Sequence, residues 1–288
     1  MTAPFGRRAA TVIARETHGA YVVLRCRDSD GPEPEAGQFY MLATAERWGG
    51  GEGERPFLPR AFSVLRAHDD ELHFLIEDVG PGTNRLCELE PGDELLLVGP
   101  LGNGFTRPRD GREPLLIGGG VGIAPLAIWQ DELGSRTPAL LGFRDRAHAE
   151  GAALLHDPSM ATDDGSVGHH GLVTELLEDV LEERGEELEV YACGPPAMLE
   201  AVRAMCVERA VPAQLALESG MACGFGACFG CVVPTVEGYV RLCLEGPVIE
   251  AERLCDMAEH RSGLPESRSE DVRPGARRSR AVSAGAGH

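Results

Sequence analysis

Four cysteines near the end of the chain point most directly to chemistry. Cys223, Cys228 and Cys231 follow one another as C-x4-C-x2-C, and Cys243 comes after eleven further residues. Four thiolates hold a [2Fe–2S] cluster, and a C-x4-C-x2-C triplet with a distant fourth cysteine is one of its ligand spacings. Gly224, Gly226 and Gly230 lie among the thiols and are expected at φ > 0, where the backbone wraps closely and turns amide N–H groups toward the sulfurs. Such donors spread the charge of a reduced cluster and help set its potential. A structural zinc site is the alternative. Zinc usually takes two C-x2–4-C knuckles, whereas Cys243 stands alone after the strand-like run Val232–Leu242. The spacing favours the cluster over zinc and over four buried free thiols.

Two glycine-bearing turns mark further sites. Gly118-Gly119-Gly120-Val121-Gly122-Ile123-Ala124-Pro125 joins the apolar run Leu115–Ile117 to Leu126–Trp129. A strand, a glycine turn and a helix N-terminus form a phosphate cradle. The turn is not G-x-G-x-x-G, and no acid stands where that fingerprint places its ribose reader. Gly80-Pro81-Gly82-Thr83 precedes a helix expected to start at Asn84-Arg85-Leu86 with a Thr cap. It reads either as an anion site suited to a pyrophosphate or as a plain capped turn. Cys193-Gly194-Pro195 ends the run Val190–Cys193, and Cys193 by itself reads as a packed thiol. His169 and His170 read as solvated loop histidines without neighbouring ligands.

The elements that must position these residues fall into two patterns. Up to residue 108 the chain shows short β-rich runs split by Gly, Pro and acidic turns: Tyr21–Leu24, Gln38–Leu42, Ala61–Leu65, Leu72–Ile76 and Glu94–Val98. That spacing predicts an antiparallel barrel, closed by a double turn at Gly99–Phe105. From Pro114, strands at Leu115–Ile117, Ala139–Phe143 and Val190–Cys193 alternate with helical stretches, one over Glu175–Glu183, as in an α/β domain. The expected class is α+β multidomain: a barrel at 1–108, an α/β domain at 112–215, a cysteine module at 216–255 and a disordered tail at 256–288. Residues 261–288 carry six arginines against three acids and almost no large apolar side chains.

The formal net charge is −19, and all 27 basic residues are arginine. So acidic a surface argues against nucleic acid and anionic membranes as partners. No apolar run approaches the length of a membrane span, and Met1–Arg8 has no apolar signal core. The nine cysteines then read as cytoplasmic thiols plus a metal site, not as a disulfide framework.

Arg60-Ala61-Phe62-Ser63 resembles the Arg-x-aromatic/aliphatic-Ser flavin motif of the ferredoxin reductase superfamily, and Gly118–Pro125 is similar to its GGG(V/I)G(I/L)AP nicotinamide-domain signature. Asp163–Ser166 and Cys193-Gly194-Pro195 resemble further parts of the same pattern. With Glu218–Cys231 and Arg241–Val248, the chain from about residue 10 to 255 resembles the electron-transfer subunits of NAD-dependent (class 1B) dihydroorotate dehydrogenases. The resemblance implies an antiparallel β-barrel FAD domain, an α/β nicotinamide-binding domain and a small C-terminal [2Fe–2S] module. It implies cofactor contacts, to FAD and NAD, at Arg60, Ala61, Phe62, Ser63, Leu75, Ile76, Glu77, Gly82, Thr83, Gly119, Gly120, Gly122, Cys193, Gly194 and Pro195. Arg60 would pair with the FAD pyrophosphate as a fork donor. Iron would be held by Cys223, Cys228, Cys231 and Cys243, and no side chain is expected to act as a catalytic acid or base.

The implied partner is an FMN-containing dihydroorotate dehydrogenase catalytic subunit, in a heterotetramer of two of each. Electrons would run from that FMN through the cluster and FAD to NAD+, in pyrimidine biosynthesis. Ala61 departs from the Pro often found after the flavin arginine, and the Arg47–Pro59 loop and the tail read as additions. The motifs equally fit a reductase subunit of a sulfhydrogenase or of an NADH-dependent ferredoxin:NADP reductase, and they do not separate NAD from NADP. A redox-responsive or zinc-bearing interaction module without turnover is the third reading.

Overall fold

Residues 6–48 and 56–255 are described in the computed structural model; the expected tail and residues 49–55 of the glycine-rich loop lie outside them. Six strands, β1 (Arg8–His18), β2 (Tyr21–Arg27), β3 (Phe39–Thr44), β4 (Arg60–His68), β5 (Glu71–Glu77) and β6 (Glu94–Leu101), close an antiparallel barrel in the order β1-β2-β5-β4-β3-β6. Helix α1 (Pro81–Cys87) connects β5 to β6. Tyr40, Leu42, Val64, Phe74, Ile76, Leu95 and Leu97 fill the interior, and burying each such side chain contributes about 1.5–3 kcal/mol. β6 continues through Gly99-Pro100 to Leu101, where the sequence suggested a turn; Leu101 still pairs with Phe39 across the ladder.

The second layer begins with β7 (Glu113–Gly119), then α2 (Ile123–Leu133), β8 (Ala139–Phe143), α3 (Arg146–Ala149), β9 (Ser159–Thr162), β10 (His169–His170), α4 (Val173–Arg184), β11 (Leu188–Cys193), α5 (Pro196–Glu208) and β12 (Ala213–Ala216). Beyond it come β13 (Val232–Thr235), β14 (Gly238–Arg241) and β15 (Val248–Glu250). The sheet runs β10-β9-β8-β7-β11-β12-β15 and is parallel except for β15, which lies antiparallel to β12. The near-continuous apolar runs of β7 and β11 suit strands covered on both faces. The run Val232–Leu242, expected as one strand, is a hairpin of β13 and β14.

Barrel and sheet share a core. Phe105, just past β6, stacks on Trp129 of α2 at 5.8 Å and meets Tyr191 of β11 edge-on at 5.6 Å. Buried Gln214 fastens the linker by donating to Thr106 Oγ1 (2.8 Å) and to Glu189 Oε1 (2.9 Å). The cysteine-bearing segment has no separate core. Cys231, Leu242, Cys243 and Ile249 pack with Phe39, Met41 and Leu101 of the barrel. Among the described residues no helix is long and apolar enough to cross a membrane.

Candidate functional site

The fold gathers the four thiols into two pairs. Hairpin β13–β14 places Cys231 before its first strand and Cys243 after its second, with their Sγ atoms 3.3 Å apart. Cys223 and Cys228 interact through their side chains in the loop ahead of it. Each iron of a two-iron cluster takes two protein ligands, so two thiol pairs are the donor set it requires. Among the described residues, no three His, Cys, Asp or Glu side chains converge as a single-ion site would need.

The pairs differ in electrostatics. Burial acts to raise the Cys223 thiol, but amides of Phe225 and Cys228 and the Cys228 thiol outweigh it and bring it down to about 7. At Cys243, burial and then the neighbouring Cys231 thiol push the value up to about 12. Metal binding at Cys243 must therefore displace a proton.

Gly224 and Gly226 take the expected left-handed backbone, at φ 77° and 84°. Gly230 does not; the left-handed residue there is its neighbour Phe229, at φ 57°. Gly230 nevertheless turns its amide to Cys228 Sγ at 3.4 Å. The Phe229 ring is exposed and lies under the Arg241 guanidinium, 5.0 Å from it.

A cavity of about 160 Å³ adjoins this module. Ala61, Phe62, Ser63 and Leu75 line it from the barrel, Val121 from the glycine turn, and Glu218, Ser219 and Met221 from the segment leading to Cys223. Ser219 Oγ is buried there without a hydrogen-bond partner, a donor free for a ligand. Arg60 and Gly82, distant in sequence, are in contact: a Cβ on residue 82 would stand 2.8 Å from Arg60 Nε. The guanidinium also donates to Leu58 O (2.6 Å) and lies over Trp48.

Thr83 is not the cap of α1. The helix begins at Pro81 after Gly80, and the Thr83 hydroxyl reaches back to accept from the Gly80 amide at 3.0 Å. The Ile76 side chain is fully buried in the barrel core.

A larger cavity, about 630 Å³, lies at the carboxyl ends of β7, β8 and β11, the place where open α/β sheets bind ligands. The glycines of the turn that borders it do different work, and Gly122 lies behind the wall instead of lining it. A Cβ on Gly119 would meet Met198 Sδ at 2.7 Å, and one on Gly122 would meet the Cys193 carbonyl at 2.5 Å. Gly120 is left-handed at φ 56°, and a Cβ there would meet only the Tyr21 hydroxyl, at 4.0 Å. Gly194 and Pro195 complete that wall, and Cys193 is a packed thiol whose pKa burial raises far above normal. Glu77 opens into this larger cavity rather than the smaller one.

Sequence reasoning did not single out Tyr21, Arg144, His148, Asp163 and Glu218 as site residues. All five line the larger cavity. The Tyr21 hydroxyl is buried without a partner. Glu218 borders both cavities, and the surrounding protein raises its carboxyl pKa although the side chain faces cavity space. Two of them had a local signal: Glu218, just ahead of the cysteine loop, and Asp163, which opens the Asp163–Ser166 stretch.

Barrel, nucleotide-type sheet and paired thiols define a ferredoxin-reductase-like protein with an added iron–sulfur module. Residues 218–255 match the family described as the iron–sulfur cluster binding domain of dihydroorotate dehydrogenase B. The electron transfer subunit of dihydroorotate dehydrogenase B (NAD(+)) from Caldanaerobacter subterraneus subsp. tengcongensis is 36% identical over 78% of this chain and 88% of its own length. That of Geobacillus kaustophilus is 43% identical over 68% and 79%. Among solved structures, the NADH-dependent reduced ferredoxin-NADP oxidoreductase superposes with a TM-score of 0.70 at 25% identity, over 87% of this chain and 91% of that one. The ferredoxin reductase of carbazole 1,9a-dioxygenase shares the fold, with a TM-score of 0.62 at 24% identity over 73% and 68%. The chain belongs to the family of electron transfer subunits of NAD(+)-dependent dihydroorotate dehydrogenase B.

Proposed function

We propose that this chain carries electrons between a nicotinamide dinucleotide and a partner subunit, through FAD and a [2Fe–2S] cluster, as the electron-transfer subunit of an NAD-dependent dihydroorotate dehydrogenase. The observation that carries this reading is the order of the three sites. The larger cavity meets the smaller one at Glu218, and Met221 borders the smaller one two residues before Cys223. A flavin bound between the two sites exchanges a hydride with nicotinamide and single electrons with an iron–sulfur cluster.

The chain's own residues bind, orient and exclude water. Arg60, against Gly82, would hold the FAD pyrophosphate, while Ala61, Phe62, Ser63 and Leu75 would line the ring and Ser219 would offer it a hydrogen bond. Gly119, Gly120, Gly122, Gly194 and Pro195 would shape the dinucleotide site. Cys223 with Cys228, and Cys231 with Cys243, would each hold one iron. No side chain needs to act as acid or base in this scheme, and close positioning of the reacting rings supplies the rate.

The reaction of dihydroorotate belongs to an FMN-containing catalytic subunit, in a heterotetramer of two of each. Phe225 and Phe229, exposed beside the thiols, support a docking face there. The nine free cysteines support a cytoplasmic, reducing setting.

The test is reconstitution. This chain with a dihydroorotate dehydrogenase catalytic subunit should reduce NAD+ with dihydroorotate, and neither alone should do so. Dihydroorotate oxidation by this chain alone overturns the two-subunit reading. NADH oxidation that never couples to such a partner moves the chain to another reductase complex.

A further inference from the structure

We infer that Glu77 sets the choice of coenzyme by holding Arg144 paired, so that the site takes NAD(H) and rejects NADP(H). This rests on reading the larger cavity as the dinucleotide site. The cavity meets the smaller one at Glu218, so the nicotinamide belongs at the end formed by Glu218 and Gly194. In the order β11-β7-β8-β9 the opposite end lies past β7, where Arg144 follows β8 and Asp163 follows β9. The adenosine ribose falls there. NADP adds a 2′-phosphate to that ribose, with about two further negative charges, and such a group calls for an arginine.

Arg144 is the one arginine among the described residues lining the cavity, and it is already matched. Its Nη2 donates to Glu77 Oε1 at 2.9 Å and lies 2.9 Å from His148 Nε2. Glu77 comes from the barrel, whereas Arg144 and His148 come from the sheet, so the packing of two layers sets the pairing. His148 is fixed in turn, with Nδ1 2.7 Å from Asp145 Oδ1, Nε2 3.2 Å from Glu77 Oε1, and its ring edge-on to Tyr21. Asp163 adds a carboxylate to the cavity wall, and Asp164 follows it.

A 2′-phosphate entering this end meets excess negative charge and a cation already engaged. An unmodified ribose carries no charge to be repelled, and its diol finds a carboxylate acceptor in Asp163. Glu77 is therefore a positioning residue that acts through Arg144.

The test uses the full chain carrying FAD and cluster. Rates with NADH and NADPH to an artificial acceptor are compared for wild type, Glu77→Gln, Asp163→Asn and the double variant Glu77→Gln/Arg144→Gln. Calorimetry measures binding of 2′,5′-ADP and 5′-AMP. Wild type should prefer NADH. Glu77→Gln should raise the NADPH to NADH ratio of kcat/KM by about tenfold or more, chiefly through KM. It should tighten 2′,5′-ADP but not 5′-AMP. Asp163→Asn should shift both readouts the same way by a smaller factor, and the double variant should lose the gain.

Unchanged ratios and unchanged 2′,5′-ADP affinity in Glu77→Gln and Asp163→Asn overturn the inference. So does a wild type that prefers NADPH. Loss of FAD from Glu77→Gln without a changed ratio also overturns it and places Glu77 at the flavin. Failure of the wild type to oxidise either dinucleotide overturns the underlying dinucleotide reading instead.

Discussion

The thiol loop and the dinucleotide cavity both depend on glycine, but not in the same way. In the loop, Gly224 and Gly226 supply left-handed backbone so that one short stretch can wrap around its own sulfurs, and room as well, since a Cβ would stand 2.5 Å from Met41 Cγ at Gly224 and 2.4 Å from Leu244 Cδ1 at Gly226. In the cavity, Gly119 and Gly122 supply room, because a Cβ at either would strike the Cys193–Pro195 turn or Met198. Only Gly120 in that turn is left-handed, and nothing crowds it. The loop's chemistry is carried by side chains close in sequence. That of the cavity is carried by shape, assembled from strands of two sheets.

That contrast can be broken at four places, taken from the largest effect to the smallest. Cys243→Ser should be all-or-none for the cluster, since it removes one of two ligands to one iron. Iron and sulfide analysis should show loss of the cluster with FAD retained; a full complement of both would mean that the fourth ligand lies elsewhere. Gly122→Ala should come next. Its Cβ forces the turn away from the Cys193 carbonyl, an overpacking of about 1–3 kcal/mol that falls on the dinucleotide site. NADH turnover should drop by roughly tenfold to a hundredfold at unchanged iron content, whereas normal turnover would show that the turn yields freely.

Arg60→Ala tests the flavin reading beside the smaller cavity. Losing a charge-assisted contact should cost about 1.5–3 kcal/mol, and FAD affinity measured by equilibrium dialysis should fall roughly tenfold to a hundredfold. An unaltered affinity would remove Arg60 from the flavin site. Gly120→Ala should be mildest, because its Cβ has space and only the left-handed backbone resists, at about 1–2 kcal/mol. A rise in KM for NADH should exceed any change in kcat. A loss as large as that of Gly122→Ala would mean that room, not φ, matters there too.

What the sequence revealed follows the same divide. Cys223, Cys228 and Cys231 sit within one loop, and a two-stranded hairpin adds Cys243, so linear spacing already grouped the thiols that the fold pairs. The strand Arg60–Ser63 and the turn Gly118–Gly122 were also local; Ala61, Phe62 and Ser63 line the smaller cavity, and Gly119 and Gly120 the larger. Tyr21 and Arg144 carry no such signal, because only the packing of barrel against sheet brings them together. Glu77 could be read as a cofactor residue, but not which cavity its side chain would enter. The left-handed residue beside Cys231 was misplaced for a related reason. Glycine is the default for φ > 0, yet Phe229 takes it, with its exposed ring under the Arg241 guanidinium. At α1, Thr83 looked like a cap but bonds backwards, because Pro81 starts the helix two residues earlier.

The central claim is that dinucleotide, flavin and cluster stand in series with the flavin between. Stripping FAD from the purified chain and adding NADH without oxygen tests it most directly, with the cluster followed by electron paramagnetic resonance. The expected result is a cluster that stays oxidised with NADH, is reduced by dithionite, and becomes reducible by NADH again when FAD is restored. Reduction of the cluster by NADH in the flavin-free chain would contradict the account.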